Sequence, residues 1–451
     1  MAVPGLVERD LRILWHPATH FDDQERLPPI AISRASGCWL YDEDGRGILD
    51  AIASWWTSVH GHCDPRITAA ITEAAGRLDH VMFAGFTHAA AVELAEALLA
   101  AAPPGYGRVF YADCGSAAVE IALKISFQSR QLAGEGARTR FATLDNSYHG
   151  ETLGALALCG SALYRSTFAP LLMPALRLPA PAHPEHRRAD AGTDLGAASP
   201  EADAAVALLE ANAHELSALV VEPMVQCAGK MRMTGAGFYR RIVETAQRLG
   251  IHVIADEIAV AFGRTGRLFA SAWSGVRPDF LCLSKGLSGG VLPFSAVLIG
   301  EGLDLAFRGG PERAFPHSHT FTGNPIACAA GLASLRALVD DGVVDSLPTR
   351  SAALERAAAA VAAASPAIRR WRQCGMIAAF DVDAPPDHPA APRLGLELRR
   401  AALRLGVLLR PLHDTIYWMP PLSIRDDELD LLGERTIATI AAVLGDAGAP
   451  R

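Results

Sequence analysis

The chain has 451 residues, half of them hydrophobic and 20% charged, a composition that suits a globular protein of two or three domains. Its net charge of −8 and pI near 6.0 argue against a surface built to hold nucleic acid, which presents a basic face. No uncharged apolar run reaches the roughly 18 residues that a membrane span requires.

The N-terminal stretch carries Glu8, Arg9, Asp10 and Arg12, which break up the apolar segment that a signal peptide needs. The eight cysteines are scattered without a Cys-x-x-Cys pair, as expected of reduced thiols in a cytoplasmic protein. A hairpin is expected over "CWLYDEDGRGILDA", and residues 1–79 are expected to pack with a smaller C-terminal domain. "HGHCD" at 60–64 has no residues nearby to complete a ligand set, so no metal site is expected.

From about residue 80 the pattern changes. "RVFYAD", "RTRFATLD", "LSALVVEP", "IHVIADE", "FLCLSK" and "SAVLIG" read as short buried strands, with amphipathic helices such as "SAAVEIALKISFQSRQLA" between them. Alternating apolar runs and helices predict an α/β fold with a mostly parallel sheet covered on both faces, occupying residues 80–335 as the large domain. Residues 176–203 are rich in Pro, Ala, His and charge and read as a long surface excursion, with "HRR" at 186–188 as solvated loop. Residues 336–451 read as a smaller α/β domain: an alanine-rich helix (351–364), a strand at "GMIAAFDV" and a closing helix from Asp426.

Basic residues are distributed unevenly. Of 41 lysines and arginines only three are lysine, Lys124, Lys230 and Lys285, so arginine supplies nearly all the positive charge. Lys285 ends one apolar strand and Asp256 ends another, and ligands of open α/β sheets bind beside such carboxyl ends. Taken alone, Asp256 would be read as a cap and Lys285 as a turn residue. Together they suggest pyridoxal phosphate: a lysine amine bonds to an aldehyde, as a guanidinium cannot, and a carboxylate keeps the pyridine nitrogen protonated. Gly115 and Ser116, between a strand and a helix, supply a helix N-terminus for the phosphate. Tyr148 in "LDNSYHGET" is a candidate to stack on the ring. Phosphate loops of the P-loop type, G-x-G-x-x-G, H-E-x-x-H and G-x-S-x-G are absent.

These residues lie in motifs with a familiar order. "ADEIAVAFGRTGRLFA", "PDFLCLSKGLSGGVLPFSAVL" and "HTFTGNPIACAAGLASL" resemble the class III aminotransferases of pyridoxal-phosphate fold type I, over essentially the whole chain. The resemblance implies a homodimer with shared active sites, in which Thr320, with His319 beside it, serves the phosphate of the partner's cofactor. "ILWHP", "AIASWWTSVHGH", "HVMFAGFTH" and "RPLHDTIYWMPP" are similar to the branch that aminates 8-amino-7-oxononanoate in biotin synthesis, with S-adenosylmethionine as donor. That branch implies an apolar slot walled by Trp55 and Trp56, with Tyr148 and Ser318 at the substrate and Arg410 clamping a distal carboxylate. Two departures bear on the donor: Ala18 stands where many relatives have tyrosine, and Ser318-His319 stand where Gly-Pro is frequent. Lysine as donor, and activity on ω-amino acids, ornithine or 4-aminobutyrate, remain the alternatives.

Overall fold

A computed structural model describes residues 5–181 and 196–445. Seven strands form the main sheet: β1 (Tyr106–Ala112), β2 (Arg140–Leu144), β3 (Ala175–Leu178), β4 (Leu216–Val221), β5 (His252–Asp256), β6 (Phe280–Leu283) and β7 (Ser295–Gly300). Their order across the sheet is β1-β7-β6-β5-β4-β2-β3. The five strands from β6 to β3 run parallel, and β7 is antiparallel to both its neighbours, so the sheet is mostly parallel as expected.

Side chains of a strand alternate between faces, and here both faces are covered. Phe280 and Cys282 of β6 pack with the apolar side of helix α1 (Gly115–Leu132), while Leu281 and Leu283 join the core on the opposite face. This double coverage explains why the strands read as continuous apolar runs. Truncating one such buried leucine to alanine costs about 2–5 kcal/mol.

The hairpin forms as expected, with 39–42 antiparallel to 47–50, and residues 407–408 from the far end of the chain add a parallel strand beside 47–50. Trp39 Nε1 donates to Glu428 Oε1 at 2.7 Å, a second tie between the two ends of the chain. Strands 368–374, 377–382 and 415–418 form a separate antiparallel sheet.

Two expectations need correction. The 176–203 excursion begins as strand β3, which pairs with β2 at the sheet edge, and its last residues open helix Pro200–Asn212. Residues 182–195, including 186–188, lie outside the described residues. The alanine-rich helix begins at Val343 rather than 351. Pro348 masks its first turns in the sequence because proline normally ends or starts a helix, yet tertiary packing carries the helix through it. Among the described residues no helix is long and apolar enough to cross a membrane, and no three His, Cys, Asp or Glu side chains are grouped to hold a metal ion.

Candidate active site

Of three neighbouring parallel strands, β4 is followed by Glu222, β5 ends in Asp256, and Lys285 lies two residues past β6. All three residues line one cavity of about 510 Å³, a size suited to a small organic ligand. Lys285 follows β6 in a left-handed conformation (φ +45°), backbone strain of the kind stored at functional sites. The loop behind it turns back through Gly290 (φ +87°). A Cβ there would lie 2.4 Å from the carbonyl carbon of Thr57, so only glycine lets this loop seat against the 53–58 segment.

Burial pulls the Lys285 amine below the usual lysine range, with the Asp256 charge opposing the shift. Asp256 is fixed on both oxygens: Ile258 N–H donates to one at 3.1 Å, and His149 Nδ1 lies 2.8 Å from the other. Glu222 accepts from the backbone N–H groups of Tyr148 (3.0 Å) and Cys227 (3.1 Å). Burial, reinforced by the Asp256 charge, raises its pKa well above the carboxylate range, which favours a neutral acid at this wall.

The opposite end of the cavity is formed by the start of α1. Its N-cap residue, Cys114, makes no side-chain capping bond, which leaves the first-turn N–H groups at Gly115 and Ser116 available to an anion. Gly150 (φ +122°) lets the Tyr148 loop close on this turn, since a Cβ there would sit 2.4 Å from Ser116 Cβ. Tyr148 lines the cavity and its hydroxyl donates to Glu151 Oε1 at 3.0 Å. A buried amine whose pKa is lowered, a fixed carboxylate and an uncapped helix N-terminus around one cavity fit pyridoxal phosphate.

Trp56 lines the same cavity, with the Lys285 amine 5.2 Å from its ring centroid and its Nε1 donating to Tyr417 Oη at 3.0 Å. Trp55 points elsewhere: its ring carries the Arg410 guanidinium at 3.9 Å. Arg410 faces a second, larger cavity of about 1480 Å³, which Ala18 and Tyr164 also line. Glu151 borders both cavities. Of the expected substrate residues, Trp56 and Tyr148 thus line one space and Arg410 the adjoining one, while Trp55 and Ser318 line neither.

The tryptophan pair sits on an uncommon backbone. Ala53, Ser54, Trp55 and Trp56 all have φ between +44° and +74° and form a left-handed helical turn closed by Trp56 N–H to Ile52 O (2.8 Å) and Thr57 N–H to Ala53 O (2.9 Å). Such a turn costs about 1–2 kcal/mol per residue. Buried Asp50 holds it, accepting from Ser54 Oγ at 2.8 Å and Ile52 N–H at 3.2 Å, with His62 Nε2 2.8 Å away.

Ser318, His319 and Thr320 do not line the Lys285 cavity of their own chain, and Ser318 and Thr320 are exposed. His319 Nε2 lies 3.1 Å from Asp113 Oδ2, beside the helix that begins at Gly115. Sequence reasoning missed Glu222 and His149. Glu222 had a signal, since "VVEP" ends its strand as "ADE" and "LSK" end theirs; His149 had none beyond its place after Tyr148.

A family model described as aminotransferase class-III matches residues 21–440. The adenosylmethionine-8-amino-7-oxononanoate aminotransferase of Geobacter sulfurreducens is 38% identical over 97% of this chain and 97% of its own. A crystal structure of the enzyme of that name from Methanocaldococcus jannaschii superposes with a TM-score of 0.90 at 27% identity, covering 97% of this chain and 99% of the other. A PLP-bound amine transaminase from an uncultivated Pseudomonas species gives a TM-score of 0.86 at 30% identity, over 96% and 99% of the two chains.

Proposed function

The chain belongs to the class-III aminotransferases, enzymes of pyridoxal-phosphate fold type I, and within that family we propose that it aminates 8-amino-7-oxononanoate to 7,8-diaminononanoate. The observation that carries the substrate is the match, along nearly the full chain, to relatives bearing that name, of which the Geobacter protein is 38% identical. The Arg410 guanidinium supports it: it faces the larger cavity, rests on the Trp55 ring and has no anionic partner among the described residues, as a receptor for a carboxylated chain would.

Bound pyridoxal phosphate supplies an aldehyde carbon that takes up amines and a ring that accepts electrons from the adjacent carbon. Lys285 Nζ is the amine that would hold the aldehyde carbon, and it would carry the proton to and from the substrate carbon, a role its lowered pKa favours. Asp256 would hold the proton on the ring nitrogen. The Gly115 and Ser116 N–H groups would hold the phosphate, and Tyr148, which lines the same cavity, would lie against the ring. The same residues serve donor and acceptor in turn, so the kinetics are ping-pong. S-Adenosylmethionine is the proposed donor.

The proposed assembly is a cytoplasmic homodimer. Exposed Thr320, outside its own Lys285 cavity, supports a role of Thr320 and His319 at the partner's site, with Ser318 toward the substrate. Assaying the purified holoenzyme with 8-amino-7-oxononanoate, 4-aminobutyrate and ornithine tests the reading. A kcat/KM highest for 8-amino-7-oxononanoate supports it; preference for either of the others assigns the chain to another branch.

A further inference from the structure

The larger cavity holds an imbalance of charge. Its anions are engaged: Asp23 pairs with Arg393, Asp414 with Lys230 at 2.6 Å, Asp383 with Arg369 at 3.0 Å, and Glu151 accepts from Tyr148. Two of its cations are not. Arg410 contacts the Trp55 ring, and among the described residues neither Arg410 nor Arg399 has a hydrogen bond or ion pair to a protein group. The Nε of Arg399 is buried without a partner.

Arg399 lies on helix α2 (Leu394–Arg404), whose Leu396, Arg399 and Leu403 line the cavity, a spacing that sets one helical stripe toward it. Burial lowers the Arg399 pKa and the Arg410 charge lowers it further, so the two guanidiniums feel one another. A guanidinium stays charged under such a shift. Two neighbouring positive charges without an anion cost stability, and their persistence in a ligand-sized space marks a place for an anion.

We propose that Arg399 adds a second guanidinium to the carboxylate clamp already expected of Arg410, so that the two hold one carboxylate of an aliphatic substrate. Guanidiniums match carboxylate oxygens through paired N–H donors, and two of them can satisfy all the lone pairs of one carboxylate. Leu163 and Leu408 on the same cavity suit the chain that carries it. The identity of the acceptor rests on the function proposed above; the carboxylate site does not.

The test is calorimetric binding of nonanoate and of neutral nonanamide to the holoenzyme, for the wild type, Arg399→Gln, Arg399→Lys and the neighbouring surface variant Arg400→Gln. Arg399→Gln weakens nonanoate binding about tenfold, the worth of a hydrogen bond to a charged group, and leaves nonanamide unchanged. Its Tm equals or exceeds that of the wild type, because an unpaired charge has been removed. Arg399→Lys recovers part of the affinity, and Arg400→Gln matches the wild type. With 8-amino-7-oxononanoate, Arg399→Gln raises KM by a similar factor and keeps kcat. Unchanged nonanoate affinity in Arg399→Gln overturns the proposal. So does an equal loss for both ligands with a lowered Tm in Arg399→Gln and Arg399→Lys, which assigns Arg399 to packing. A carboxylate-specific loss in a protein inactive on 8-amino-7-oxononanoate keeps the site and removes that substrate; normal amination with unchanged nonanoate binding does the reverse.

Discussion

His149 Nδ1 lies 2.8 Å from Asp256 Oδ2, with both side chains buried. The far nitrogen of the same ring lies 3.2 Å from Thr143 Oγ1, whose neighbour Ser147 donates to Leu158 O at 2.9 Å. The imidazole is thus fixed at both ends and in turn fixes the carboxylate at the end of β5. Replacing it by phenylalanine keeps the ring volume and removes a hydrogen bond to a charged group, worth about 1.5–3 kcal/mol. His149→Phe should weaken cofactor retention roughly 10- to 100-fold, read by titrating pyridoxal phosphate into the apo-protein. Retention equal to wild type would show that Asp256 needs no such support.

The left-handed turn at 53–56 depends on Asp50, which gathers Ser54, Ile52 and His62. Asp50→Ala leaves those donors unsatisfied in a buried site, at a cost of about 3 kcal/mol or more. The expected result is a lowered Tm together with a shifted tryptophan emission, since Trp55 and Trp56 ride on the turn. A Tm drop without any change in emission would mean that the turn holds its shape unaided.

Trp55 meets Arg410 face to cation at 3.9 Å. A contact of this kind is worth about 0.5–2 kcal/mol. Trp55→Ala should therefore raise the KM for the carboxylated acceptor by roughly 2- to 30-fold while kcat holds. Loss of kcat with KM unchanged would place Trp55 in the chemistry instead.

Stability should depend on acid through His60. Its Nε2 lies 3.0 Å from Ser334 Oγ, and burial pulls its pKa from 6.5 down to about 4. The folded state keeps this ring neutral while the unfolded chain protonates it. Its contribution is fully present above about pH 6.5 and is lost as pH falls to about 4. The shift corresponds to about 3 kcal/mol. Denaturant unfolding at pH 7 and pH 5 should show less pH dependence in His60→Gln than in the wild type; identical slopes would remove His60 from the acid response.

Much of this site was legible because it sits at strand ends. Apolar runs mark buried parallel strands, so Asp256 and Lys285 stand out as the first charged groups at their carboxyl ends. Glu222 occupies the same kind of position, but a lone carboxylate before a proline carries nothing further in the sequence that separates it from a strand end. The left-handed turn was not legible, since Ala, Ser and Trp carry no preference for positive φ and the turn is imposed by Asp50 and His62 from outside. Strand β3 was missed because four residues at a sheet edge, "ALRL", carry too short a pattern to distinguish from loop. That same turn sends Trp56 to the Lys285 cavity and Trp55 to the Arg410 guanidinium, and adjacent letters in a sequence do not reveal it.

The most direct test incubates purified holoenzyme with 8-amino-7-oxononanoate and S-adenosylmethionine, with lysine as a parallel donor, and follows 7,8-diaminononanoate by mass spectrometry. Wild type and Lys285→Ala are run side by side. The account predicts product from the wild type with S-adenosylmethionine and none from Lys285→Ala. Product from Lys285→Ala at the wild-type rate, or none from a wild type that deaminates 4-aminobutyrate or ornithine, would contradict it.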